Sequence, residues 1–72
     1  MGVLLVTRRE CHLCETALAA LRDLGIEHET ADVDADDELF RLYDWRVPVV
    51  LEDGKVVAEG KIDRDSLQGL IG

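Results

Sequence analysis

Cys11 and Cys14, in the stretch "RRECHLCE", are the only cysteines of the chain and form a CxxC pair. Three chemistries use that spacing: dithiol–disulfide exchange, half of a metal site, and a plain crosslink. The crosslink contributes little, because closing so short a loop is worth roughly 2 kcal/mol, which strain can remove. A closed zinc site takes four ligands, and the chain offers Cys11, Cys14, His12 and His28. Ring geometry makes His12 awkward for an ion held by its neighbours, and His28 falls in another segment. A metal or iron–sulfur cluster would need a dimer sharing two cysteine pairs, or glutathione as external ligand, so no metal is expected in the single chain.

Redox exchange needs a reactive thiolate, and the elements around the pair decide whether one can form. "GVLLVT" before it is a continuous apolar, β-branched run, as in a central strand buried on both faces. After it, Cys14, Ala17, Leu18 and Leu21 follow the i, i+3, i+4, i+7 pattern of a helix face, with Leu24 continuing the stripe and Gly25 at the C′ position. The pair thus falls at a strand-to-helix junction. There the Cys11 sulfur would meet the free N–H groups of the first helical turn, whose positive field favours thiolate. Cys14, one turn inside, should be more buried. Cys11 is then the attacking nucleophile and Cys14 the thiol that resolves the mixed disulfide.

The remaining elements can be read in order. "IEHETADV" mixes β-formers with charge, as an edge strand does. Helix-starting residues from Asp34 lead to Leu39, Phe40, Leu42 and Tyr43, a helix of about two turns. "VPVVLEDGKVVAEG" is two apolar runs joined by Asp53-Gly54, a pair suited to a type I′ hairpin turn, with Pro48 at the first strand's start. Asp63 can cap a last helix carrying Leu67, Leu70 and Ile71, with Ile62 and Leu67 placed as a hydrophobic staple. The order is β-α-β-α-β-β-α in one domain over residues 1–72. A right-handed crossover makes the first two strands parallel and the hairpin adds an antiparallel pair. Chemistry is expected at the carboxyl end of the first strand, where the cysteines lie.

Cys11-His12-Leu13-Cys14 after an apolar strand, Arg46-Val47-Pro48-Val49 opening the hairpin, and the Val56–Gly60 strand leading into a capped helix together resemble a glutaredoxin-like small protein of the thioredoxin-fold superfamily. The resemblance spans essentially the whole chain. It implies an α/β, thioredoxin-like fold: a four-stranded mixed sheet flanked by three helices. It also implies a cis bond between Val47 and Pro48 beside the cysteines, with the Val47 backbone pairing with substrate like a short added strand. The implied activity is a dithiol–disulfide oxidoreductase that reduces protein or low-molecular-weight disulfides in redox homeostasis. It would carry electrons without a bound cofactor, with glutathione or a flavoprotein reductase restoring the pair. There are departures. Arg46 stands where glutathione-using members have Thr, Gly60-Lys61-Ile62-Asp63 replaces their Gly-Gly segment, and His12-Leu13 replaces Pro-Tyr. Thioredoxins have Trp before the motif, whereas here Glu10 precedes Cys11, and the first strand contains no acid.

Charge bounds the partners. The 72 residues carry a formal net charge of −8 and a pI near 4.5, which argues against nucleic acid and anionic membranes as partners. The apolar run Val3–Val6 is too short for a signal peptide or a membrane span. A soluble cytoplasmic monomer is expected, a setting in which persistent structural disulfides are rare. "DADDE" is expected to form solvated caps and loops. Of eight basic residues, Arg8, Arg9, Arg46 and Lys61 map to loops around the cysteines. Such a rim would bind substrate carboxylates and lower the Cys11 pKa from about 8.5 into the ~3.5–7.5 range, with Glu10 opposing. His12 either adds to that field or is a bland exposed helix-start residue. His28 is expected at the surface, Trp45 packed against the second helix rather than walling a substrate groove, and Tyr43 at the border of the core.

Overall fold

A computed structural model describes residues 2–69. Strand β1, Val3–Thr7, is followed by helix α1, His12–Asp23, and by strand β2, Glu29–Asp32. A single 3₁₀ turn at Val33–Ala35 precedes helix α2, Asp37–Tyr43. The hairpin strands are β3, Val49–Glu52, and β4, Lys55–Glu59, and helix α3 covers Arg64–Leu67. Leu70 and Ile71, expected on the face of this last helix, lie outside the described residues. The sheet order is β2-β1-β3-β4. β1 runs parallel to β2 and antiparallel to β3, and β4 is antiparallel to β3. This is the thioredoxin-like α/β arrangement, a four-stranded mixed sheet with three helices.

Alternation along β1 and β3 divides the core in two, because successive side chains of a strand point to opposite faces. Leu5 and Val50 pack with Ala17, Ala20 and Leu21 of α1 and with Ile62 and Leu67 on one face. Val6, Val49 and Leu51 pack with Val33, Leu39 and Tyr43 on the other. Leu5 and Val6 are both fully buried, as a central strand requires. β2 and β4 form the edges.

Helix ends follow local rules. α1 stops in a Schellman motif: the Gly25 N–H donates to the Arg22 carbonyl and the Ile26 N–H to the Leu21 carbonyl, each at 3.0 Å. Gly25 has φ 69°, left-handed backbone that suits a residue without Cβ. At the hairpin, Asp53 (φ 52°) and Gly54 (φ 84°) supply the two positive angles of a type I′ turn. Opposite it, the β3–β4 register shifts between Val50 and Leu51, an irregularity with no signal in the alternation pattern. Asp63 caps α3, and Ile62 and Leu67, both fully buried, meet as the expected staple.

The α2 region is where expectation and structure part. Its apolar residues do not form one buried stripe: Leu39 and Tyr43 pack inward, whereas Phe40 and Leu42 are exposed. Trp45, expected against this helix, is 94% exposed. After α2 the chain tightens, with the Arg46 and Val47 N–H groups both donating to the Tyr43 carbonyl, at 2.9 and 3.2 Å. Tyr43 and Val47 take the inward positions, and Trp45 is left at the outward apex.

Candidate active site

β1 ends at Thr7, and three residues carry the chain to Cys11. Glu10, the last of them, has φ 54°, a left-handed conformation costing a residue with a Cβ roughly 1–2 kcal/mol. Nothing in the sequence marks Glu10 for it. Cys11 then takes extended geometry as the N-cap of α1. The Cys14 N–H donates to the Cys11 sulfur at 3.1 Å, filling the place that a Ser or Asp oxygen takes in ordinary caps. Cys11 and Cys14 are joined as a disulfide with their Cα atoms 5.2 Å apart.

The two sulfurs differ in access. Cys14 is 4% exposed and belongs to the buried face of α1, while Cys11 is only half-buried. A cleft of about 280 Å³ opens on the pair, lined among others by Thr7, Arg9, Glu10, Glu15, Leu18 and Thr30. The Thr7 hydroxyl donates to the Ala31 carbonyl at 3.3 Å. No polar or charged side chain is buried among the described residues, and the carboxylates that line the cleft are those of the exposed Glu10 and Glu15.

The Val47–Pro48 peptide is cis. Pro48 is fully buried, and its carbonyl accepts from the Gly60 N–H at 2.9 Å, tying it to the end of β4. Val49 pairs with Val6 of β1, which brings this loop to the same end of the sheet as the cysteines. The Val47 N–H is bonded to the Tyr43 carbonyl, so of the two backbone groups expected to pair with substrate, one already has a partner within the chain.

The four expected rim cations have separate fates. Arg8 does not project to solvent as a free charge. Its Nε and Nη2 each lie 3.0 Å from the Asp34 carboxylate, and it also pairs with the Asp44 carboxylate. Hydrogen bonding to these two carboxylates raises the Arg8 pKa, and the same contact holds the Asp34 carboxyl below its ordinary value. Arg46 pairs with Glu59, its Nη2 and Nε both on one carboxylate oxygen at 2.6 and 2.7 Å, and lies 5.2 Å from the Tyr43 ring centroid. Arg9 is exposed and lines the cleft. Lys61 is exposed, with Asp63 in its field. Among the described residues, then, Arg8 and Arg46 are matched by carboxylates. Asp34, Asp44 and Glu59 were not legible as their partners, because each lies 13 or more residues away in sequence. "DADDE" is likewise more than solvated caps: Asp36 does cap α2, but Asp34 holds Arg8.

The histidines occupy plain settings. His12 is fully exposed, with Nδ1 3.7 Å from a Glu15 carboxylate oxygen. His28 lies just before β2, with Nδ1 2.8 Å from the Ile26 carbonyl. Among the described residues, no three His, Cys, Asp or Glu side chains converge as metal ligands, and no helix is long and apolar enough to cross a membrane.

A CxxC pair capping the first helix of this sheet, with a cis-proline loop at the same end, defines a thioredoxin-like fold. The chain belongs to the Glutaredoxin-like domain (DUF836) family, whose model matches residues 2–72. It is similar to the solved structure of XcR50 from X. campestris, at 29% identity and TM-score 0.82, covering 93% of this chain and 91% of that one. Ne2328 from Nitrosomonas europaea is 31% identical with TM-score 0.80, covering 99% and 91%. A glutaredoxin from Archaeoglobus fulgidus shares the fold, at 24% identity and TM-score 0.72 over 97% and 85%. No curated protein matches the chain.

Proposed function

We propose that this chain is a dithiol–disulfide oxidoreductase in which Cys11 attacks and Cys14 resolves. The observation that carries the reading is the asymmetry of the pair: an accessible sulfur at a helix N-cap, accepting the Cys14 N–H, and a partner sulfur that is 4% exposed. In the reduced protein that N–H and the helix N-terminus favour thiolate at Cys11. The thiolate attacks one sulfur of a substrate disulfide and expels the other as a thiolate, which takes up a proton. Cys14 then loses its proton and attacks Cys11 in the mixed disulfide, releasing the second substrate thiol. Two electrons have passed to the substrate, and the Cys11–Cys14 disulfide remains.

A disulfide-bearing protein or a small disulfide is the proposed substrate class, with the Val47 carbonyl as the backbone group an incoming strand would pair with. Two molecules of glutathione, or a flavoprotein reductase, would return the electrons. The test is insulin disulfide reduction by the wild type and by single variants. Cys14→Ser should accumulate a mixed disulfide visible by mass spectrometry, and Cys11→Ser should lose turnover. If both variants reduce insulin at the wild-type rate, the reading is wrong. Turnover coupled to NADPH through thioredoxin reductase, set against glutathione with glutathione reductase, identifies the electron donor.

A further inference from the structure

Arg8 links three separate parts of the chain. It leaves the end of β1 and meets Asp34 in the 3₁₀ turn after β2 through two 3.0 Å bonds. It reaches Asp44, at the C-terminus of α2, both at the carboxylate and at the backbone carbonyl, the latter at 3.2 Å. Its guanidinium carbon also lies 5.9 Å from the Phe40 ring centroid. The planar guanidinium holds two carboxylates and a carbonyl at once, with Nε and Nη2 paired on Asp34, a spread geometry that a compact ammonium group does not match.

The consequence lies in what Asp44 begins. From it the chain runs through Trp45, Arg46, Val47 and Pro48 to Val49, which the sheet fixes against Val6 of β1. The loop is thus anchored at one end by strand pairing and at the other by Arg8, and Arg8 itself stands three residues before Cys11. On the redox reading, a partner disulfide meets the Cys11 sulfur at the end of the sheet to which the Val6–Val49 pairing also brings the Val47–Pro48 loop. We propose that Arg8 is a positioning residue: its bridge to Asp34 and Asp44 sets the separation of the Cys11 loop and the Val47–Pro48 loop and so governs how well a protein disulfide is captured. The proposal rests on the redox reading above and adds to it a residue that lines the same cleft but whose guanidinium is taken up by Asp34 and Asp44.

Misplacement of binding elements by about 1 Å can cost up to ~10²-fold in rate. Arg8→Ala should therefore raise KM for insulin by about tenfold, with a smaller change in kcat. Arg8→Lys, which keeps the charge but not the fork, should recover only part of the loss. The second readout is independent of turnover: hydrogen exchange of the Arg46 and Val47 amides, both bonded to the Tyr43 carbonyl, should accelerate in Arg8→Ala. A residue that merely added stability would lower the melting temperature while leaving KM and these two amides unchanged in the folded protein, and that result overturns the proposal. Full rescue by Arg8→Lys also overturns it, since charge alone would then suffice. Wild-type protein that turns over neither insulin nor 5,5′-dithiobis(2-nitrobenzoate) removes the redox reading, and the proposal falls with it. A working wild type beside an unaffected Arg8→Ala removes the proposal alone.

Discussion

The Cys14 N–H points at the Cys11 sulfur from 3.1 Å, so the residue assigned to finish the exchange also supports the one that starts it. That donor is part of the helix backbone, so it needs no side-chain movement to face the Cys11 sulfur. On the proposed mechanism it would favour the charged form of Cys11 in the reduced protein. The expected outcome is a Cys11 thiol more acidic than the roughly 8.5 of a free thiol, read as the midpoint of iodoacetamide alkylation rate against pH. Peptide mapping should show Cys11 modified first. A midpoint at the free-thiol value, or equal labelling of the two sulfurs, contradicts the assignment.

Acid sensitivity should be traceable to the last helix. Asp63 accepts from the Ser66 N–H at 2.8 Å and from its hydroxyl at 2.9 Å, and these bonds, with a smaller contribution from Lys61, hold its carboxyl below the ordinary 3.8. A folded-state pKa below the unfolded one means the contribution is complete above the unfolded value. It is lost as pH falls from there through the folded value. Asp63→Asn keeps a capping oxygen but does not titrate. Its melting temperature should therefore fall less steeply than that of the wild type as the pH is taken below about 4. Parallel curves for the two proteins would exclude the Asp63 cap as an acid-sensitive element.

Leu21 and Trp45 should sit at opposite ends of a stability scan. Leu21 is fully buried between α1, the sheet and α3, and Leu21→Ala is expected to cost about 2–5 kcal/mol in urea unfolding. In a domain this small, where a single core supplies little more than ~3–5 kcal/mol, that approaches the whole margin. Trp45→Ala, at 94% exposure, should stay within about 0.5 kcal/mol of wild type. Trp45 is also the sole tryptophan, so the native protein should fluoresce like indole in water. Blue-shifted emission would mean that the ring is covered.

Those two residues also show what could be read from the letters and what could not. Leu21 belongs to a periodic stripe, and periodicity reports a helix's own geometry, so α1 and its buried face were legible. The Asp53-Gly54 turn and the Ile62–Leu67 staple were legible for the same reason, since each is decided within a few residues. Trp45 was not, because its exposure depends on Tyr43 and Val47 taking the inward places. Nor could Arg8 and Arg46 be separated from unpaired cations, since their carboxylate partners come from other elements. The two cysteines and the Val47–Pro48 loop carried the resemblance to a known fold. The ion pairs beside them depend on how the loops close in three dimensions.

The position of β1 carries one more consequence. It is hydrogen-bonded on one side to β2 and on the other to β3, with Leu5 and Val6 sealed in opposite faces of the core. In native-state fluctuations, edges fray first, and amides in the middle of a sheet open last, at free energies near that of global unfolding. The sulfurs thus follow directly on one of the two interior strands, where opening is slow. The sheet margins can breathe, or make way for a docking strand, without releasing the tether of the reactive pair.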